Sequence, residues 1–306
     1  MRILSVRHVT TYRYKQPVAF GEHRMMLRPR DSYDQKLLEA WLGITPEPEN
    51  LRWVHDVFGN CVALARFARR VRSEELRVES TIRLDHSASN ALNFAMEDYA
   101  RTYPFAYDAE EVPDLSRSVE RQYLDPGRAV DRWARQFLNP AGPTETEPLL
   151  IAICHAIRRR FTYVGRPEAG VQDPITTLEL GRGTCRDFAV LMIEAVRSLG
   201  LAARFVSGYL YVPERDRSDR VGGGSTHAWV EVYLPGAGWV EFDPTNGIVG
   251  NRDLIRVAVV RDPRQALPLS GTWYGFPGAQ IDMKVEVKVT AEAEARVPVL
   301  NGQEIE

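Results

Sequence analysis

Cys185, His227 and Asp243 have the types and the order that acyl transfer through sulfur requires. Cys185 stands in the run Gly181-Arg-Gly-Thr-Cys185-Arg-Asp187-Phe, ahead of an apolar stretch that ends at Gly200. Thr184 followed three residues later by Asp187 has the form of a capping box, with Thr184 as N-cap and Asp187 at N3. Cys185 then falls at N1, where unpaired backbone N–H groups and the positive end of the helix dipole favour an anion. Such a position favours the thiolate. Gly200 is a natural C′ residue, so both ends of the helix are marked.

His227 lies 42 positions on (227 − 185), at the head of His227-Ala-Trp229-Val-Glu-Val-Tyr-Leu234, a run rich in β-branched and aromatic residues that reads as a strand. Asp243 lies 16 beyond (243 − 227), in Gly238-Trp239-Val-Glu-Phe-Asp243. The turn Pro235-Gly-Ala-Gly238 makes the two runs an antiparallel hairpin, so His227 and Asp243 can be cross-strand neighbours. A histidine there can take or share the thiol proton, and an aspartate can fix its tautomer and steady the imidazolium. Taken singly, each residue has a plainer reading. A cysteine in an apolar helix is a small buried hydrophobe, which is the reading for Cys154, and an aspartate before proline starts a turn. Order and context together favour the triad.

Four segments resemble the transglutaminase-like superfamily: Gly183-Thr-Cys185-Arg-Asp187-Phe-Ala, Ala203-Arg-Phe-Val-Ser-Gly-Tyr209, Thr226-His227-Ala-Trp229-Val-Glu-Val-Tyr and Gly238-Trp239-Val-Glu-Phe-Asp243-Pro-Thr-Asn-Gly247. His8-Val-Thr10-Thr-Tyr12-Arg-Tyr14, Pro17-Val18 and Arg28-Pro29-Arg30 resemble the β-rich N-terminal domain of its bacterial branch. The resemblance implies an α+β fold. Its papain-like core packs a helix bearing Cys185 on an antiparallel sheet bearing His227 and Asp243, behind an all-β, sandwich-like N-terminal domain. It also implies Cys185 as nucleophile, His227 as general base and acid, and Asp243 as orienter. Arg186 follows the nucleophile where many relatives carry Gln, which bears on the electrostatics of the cleft.

The chemistry expected is thiolate attack on an amide or acyl carbonyl, through a thioacyl-enzyme that passes to water (a peptide or amide hydrolase) or to an amine (a transamidase). The Cys185 backbone N–H would hold the oxyanion with one further donor, for which Tyr163 and Gln172 are candidates. Trp229 and Trp239 read as core packing beside the site. The expected partner is a peptide or protein amide, with no cofactor and no metal. A binding module without turnover is the alternative, since a fold does not fix a function. A zinc hydrolase is weaker: His8, His23, His55, His86, Cys61 and Cys154 show neither HExxH nor paired-Cys spacing.

Composition is that of an ordinary soluble globular protein. The 306 residues are 44% hydrophobic and 26% charged, with a net charge of −2. That balance argues against nucleic-acid binding, which needs a basic face. Arg158-Arg159-Arg160 reads as a complement to a helix C-terminus. Three Cys make no disulfide framework, and no apolar run suggests a leader or a membrane span. A reducing cytoplasm is therefore expected, with a homo-oligomer left open.

The elements that must position the three residues fall into four stretches. Residues 1–102 read as strands, with a hairpin at Gly59-Asn60 and clean alternation in Leu76-Arg-Val-Glu-Ser-Thr-Ile-Arg-Leu84. Residues 103–144 are a connector with helical pieces, punctuated by Pro104, Pro113, Pro126, Pro140 and Pro143. Residues 145–265 are the core, opened by a helix through Arg160. Residues 266–306 form an extension with a strand near Val285-Glu-Val-Lys-Val289. The charged, glycine-rich stretch 213–225 ahead of His227 reads as a solvated loop, with a flap over the cleft as the functional alternative.

Overall fold

A computed structural model describes residues 2–87, 94–165, 170–213 and 220–292. The first region is built on β1 (Arg2–Met25), followed by β2 (Gln35–Thr45), β3 (Asn50–His55), β4 (Cys61–Arg66) and β5 (Arg72–His86). The alternation in β5 works as expected: Leu76, Val78, Ile82 and Leu84 point into the core. Residues 2–13 of β1 pair with β5, and residues 23–25 pair with β4. One strand thus serves both ends of the layer. The region is β-rich as expected, but its strands form one sheet in the order β2-β5-β1-β4-β3, not two separate sheets.

The connector holds β6 (Thr102–Tyr103), α1 (Val112–Val119), α2 (Ala129–Arg135) and β7 (Thr144–Glu145), with β6 and β7 paired. The core follows with α3 (Thr146–Arg160), β8 (Thr162–Tyr163), α4 (Pro174–Leu180), β9 (Arg182–Gly183) and α5 (Cys185–Ser198). Then come β10 (Ala203–Leu210), β11 (His227–Leu234), β12 (Gly238–Asp243), β13 (Ile248–Val249) and β14 (Leu254–Val260). These five form an antiparallel sheet in the order β13-β12-β11-β10-β14. Ala228, Val230, Val232 and Leu234 project from one face of β11 into the cluster that holds Ala189, Ile193 and Val196 of α5. His227, Trp229 and Glu231 take the other face, because side chains alternate along a strand.

The last stretch carries the expected terminal strand and returns to the first sheet. β15 (Leu269–Tyr274) and β16 (Gln280–Ala291) return to pair with β1, so the first sheet has seven strands and needs both ends of the chain. The two regions share a core: Leu4, Val6, Ile82 and Leu84 pack with Tyr209, Ile255 and Val257.

β14 is an edge strand, and its open edge is read by two amide side chains of the first region. Gln35 Nε2 donates to the Arg256 carbonyl at 2.9 Å while its Oε1 accepts the Arg256 N–H at 3.0 Å. Asn60 does the same at Val259, with both bonds at 2.9 Å. Each amide supplies what a missing neighbour strand would, which protects the edge from other chains. Among the described residues no helix is long and apolar enough to cross a membrane.

Candidate active site

The capping box is present at the start of α5. The Thr184 N–H and hydroxyl donate to Asp187 Oδ2 at 2.8 and 2.9 Å, and Thr184 accepts from the N3 backbone. Gly200 follows the helix at φ +82°. Asp187 also accepts the Gln172 N–H at 2.6 Å, which ties the segment upstream to the helix start. Gly183 permits this fold-back, because a Cβ there would stand 2.9 Å from the Asp187 Cβ. Cys185 therefore sits on a fixed helix N-terminus, as the residue types predict.

His227 and Asp243 share one face of the sheet. The ladder between β11 and β12 ends at Val230 with Phe242, and one more step puts Asp243 opposite Trp229. His227 and Asp243 are thus diagonal neighbours, and the ring closes the gap with a 2.8 Å bond from Nε2 to Asp243 Oδ2. A carboxylate can only accept, so Nε2 carries the proton and Nδ1 is the basic nitrogen. Asp243 Oδ1 accepts the Thr245 N–H at 2.9 Å, an Asx turn that aims the carboxylate. Burial opposes ionisation of Asp243, but the His227 charge and bond, Asn246 and the Thr245 N–H together hold its pKa below the ordinary value.

Nδ1 makes no hydrogen bond of normal geometry, and Cys185 is the group beside it. Burial works to strip His227 of a proton. Asp243 and then Cys185 outweigh it and push the pKa up to about 10. An imidazolium held in that way is what a thiolate partner needs. The three side chains are nearly closed to solvent: Cys185 is 6% exposed, His227 1% and Asp243 0%.

Of the two oxyanion candidates, the structure brings one to the thiol. Tyr163 pairs in parallel with Gly183, two residues before Cys185, which places its side chain near enough to Cys185 to feel it. Burial first, then Cys185, raises the Tyr163 pKa to about 12, so it remains a donor. Gln172 is engaged elsewhere. Its Nε2 is spent on Thr177 Oγ1 and the Arg182 carbonyl, each at 3.0 Å, because it braces the turn between α4 and β9. Arg186 donates to the Pro263 carbonyl at 2.7 Å and lies over the Phe205 ring, yet its charge still acts on Cys185.

Trp229 is core, fully buried among Val206, Leu210 and Leu254 and stacked on His227 at 6.0 Å. Trp239 is not: it is half-buried beneath the Arg204 guanidinium, 3.9 Å from the ring centre. It lines a cavity of about 550 Å³ with Tyr33, Glu231 and Glu241 that contains none of the triad. Of the stretch 213–225, residues 214–219 lie outside the described residues, so the flap reading is untested there. Among the described residues no three His, Cys, Asp or Glu side chains are arranged to hold a metal ion. One site residue escaped the reading of motifs: Asn246, which donates to Asp243 Oδ2 at 2.8 Å. It lies in the family-like segment Gly238–Gly247, but at the turn Thr245-Asn246-Gly247, where asparagine is ordinary.

A helix presenting a thiol to a histidine and an aspartate on an antiparallel sheet defines a papain-like α+β protein. Residues 131–244 belong to the transglutaminase-like superfamily, and residues 4–84 to the bacterial transglutaminase-like N-terminal region. The uncharacterized protein ML0607 of Mycobacterium leprae is 27% identical over 290 residues, 93% of this chain and 98% of that one. The uncharacterized protein Rv2569c of Mycobacterium tuberculosis is also 27% identical, over 92% of this chain and 91% of that one. The crystal structure of a candidate cysteine protease from Cytophaga hutchinsonii shares the fold with a TM-score of 0.68 at 19% identity, covering 94% of this chain and 90% of that one.

Proposed function

We propose that the protein is a cysteine-dependent amide or peptide hydrolase acting through Cys185, His227 and Asp243. The observation that carries this is the 2.8 Å bond from His227 Nε2 to Asp243, which leaves Nδ1 as the base beside the thiol. The imidazolium already holds the proton on Nδ1 and pairs with the Cys185 sulfur, which attacks the carbonyl carbon. The oxyanion is met by the Cys185 backbone N–H and the Tyr163 hydroxyl. As the tetrahedral adduct collapses, the C–N bond breaks and the imidazolium gives its Nδ1 proton to the departing amine. The thioester remains. Water then gives a proton to Nδ1 and its oxygen to the carbonyl. A carboxylic acid leaves and the thiolate–imidazolium pair is restored.

The test is mass spectrometry of the full-length chain quenched during turnover of a peptide or amide library. A mass increase on the peptide bearing Cys185, absent from Cys185→Ala, supports the reading. Unchanged turnover in Cys185→Ala ends it. Products carrying an added amine instead of a free acid would make the protein a transamidase. All three cysteines are free, which suits a reducing compartment such as the cytoplasm.

A further inference from the structure

Asn246 follows Asp243 by three residues, and its carboxamide is fully used. Nδ2 donates to Asp243 Oδ2 at 2.8 Å and to the Val221 carbonyl at 3.2 Å. Oδ1 accepts the Val221 N–H at 2.9 Å. The side chain therefore reads both backbone groups of Val221, as a neighbouring strand would, while holding the carboxylate behind His227. The next residue, Gly222, stands against the ring. Its φ is +93°, and a Cβ added there would lie 2.7 Å from His227 Nδ1 and 3.2 Å from Cε1. Only glycine meets both conditions without strain. Nε2 is committed to Asp243, so the edge covered by the Gly222 backbone is the one the thiol must use.

We propose that Asn246 is a positioning residue that clamps the Val221–Gly222 backbone across the reactive edge of His227, fixing with one side chain the carboxylate behind the imidazole and the wall in front of it. The inference rests on the proposed chemistry and adds the element that limits which acyl groups reach the thiol. A substrate enters past bare backbone, and the clamp sets the width of that entrance. Three hydrogen bonds from one amide hold the segment, and a change at Asn246 releases the wall and loosens Asp243 together.

The test compares alkylation of full-length wild type and Asn246→Ala by iodoacetamide and by the bulkier N-phenylmaleimide, read by peptide mapping. Buried Cys154 reports on the fold in the same sample. The ratio of bulky to small reagent rate at Cys185 should rise at least about fivefold in the variant, the order expected when such a set of hydrogen bonds is lost. Cys154 should stay unreactive. An unchanged ratio with a reactive Cys185 overturns the clamp and leaves the nucleophile standing. A Cys185 inert to both reagents in both proteins overturns the nucleophile and the clamp with it. Should Cys154 open in Asn246→Ala, Gly222→Ala decides, since it keeps the amide and drives a methyl group into the ring edge. There a lowered ratio supports the clamp, since the held backbone presses the methyl group into the entrance, and an unchanged or raised ratio overturns it.

Discussion

Tyr163 and Gly183 are partners in a two-residue parallel bridge, and that pairing hangs a phenol beside a thiol 22 positions away in sequence (185 − 163). The Val164 N–H donates to the Gly183 carbonyl at 2.9 Å and the Thr162 N–H to the Gly181 carbonyl at 2.8 Å, so the tyrosine is fixed by main chain on both sides. A donor held this rigidly costs little reorganisation when charge develops on a carbonyl oxygen. Tyr163→Phe should lower kcat by about 10²- to 10³-fold, the usual loss for one oxyanion donor. Alkylation of Cys185 should persist in the same variant. Turnover at the wild-type level would strike Tyr163 from the mechanism.

Asp243→Asn should keep the fold, since the Asn oxygen can still accept the Thr245 N–H. It should nonetheless lose turnover by about 10⁴-fold through the wrong histidine tautomer. The two measurements belong together: thermal melting to show the fold, and kcat to show the loss. Near-normal turnover would leave a Cys185–His227 dyad and make Asp243 a turn residue.

The raised His227 pKa has a direct readout at the thiol. Because the imidazole holds its proton up to about pH 10, the thiolate–imidazolium pair should persist through neutral pH. With the imidazolium beside it, Cys185 should react with iodoacetamide at neutral pH faster than the other two cysteines. The rate should change again only near pH 10, as the imidazolium gives up its proton. Cys61 and Cys154 are both pushed up by burial, Cys154 most of all, and should lag at every pH. Equal labelling of Cys185 and Cys61 at pH 7 would contradict the pair.

What could be read in advance follows a physical pattern. The capping box at Thr184 and Asp187, the C′ glycine at Gly200 and the hairpin carrying His227 and Asp243 are governed by spacings of a few residues, so they leave a trace in sequence. The return of β16 to β1 is a pairing between the two ends of the chain, and alternation alone names no partner. Gln172 and Tyr163 looked alike as donors from a distance. What separates them is that Gln172 is consumed by Thr177 and Arg182, which is visible only once α4 and β9 are in place. Asn246 was hidden for a similar reason, as a turn residue whose second partner, Val221, lies 25 positions away.

Gln35 and Asn60 bear on what the N-terminal region does. Each satisfies both backbone groups of one edge residue on β14. Removing either amide leaves a donor and an acceptor of the core sheet unpaired, at a cost of about 1–3 kcal/mol. Asn60→Ala should show that loss in urea unfolding while kcat in native buffer stays within a few-fold of wild type. A core fragment lacking residues 1–100 should aggregate, because it exposes this edge together with Tyr209, Ile255 and Val257. A soluble, active fragment would instead make the region dispensable, and its role would have to be sought in substrate choice.

His8 joins the same two regions and makes that junction sensitive to acid. It is buried, with Nδ1 2.9 Å from the Tyr209 hydroxyl and Nε2 2.8 Å from Thr10 Oγ1. Burial lowers its pKa from 6.5 to about 4. The unfolded chain therefore binds a proton between those values that the folded one refuses, so the stability contribution is fully present above pH 6.5 and is lost as pH falls toward 4. The size follows from the shift, about 3 kcal/mol at 1.36 kcal/mol per pKa unit. His8→Gln should be less stable than wild type at pH 7, since it disturbs two buried bonds. It should also lose less on acidification, because glutamine does not titrate. The stability gap between the two proteins should narrow from pH 6.5 to pH 4 in urea unfolding series. Taking the difference cancels groups common to both, including His227 and Glu241, whose raised pKa values act in the opposite sense. A gap that stayed constant over this range would show that His8 is protonated in the folded protein and that its bonds to Tyr209 and Thr10 tolerate the charge.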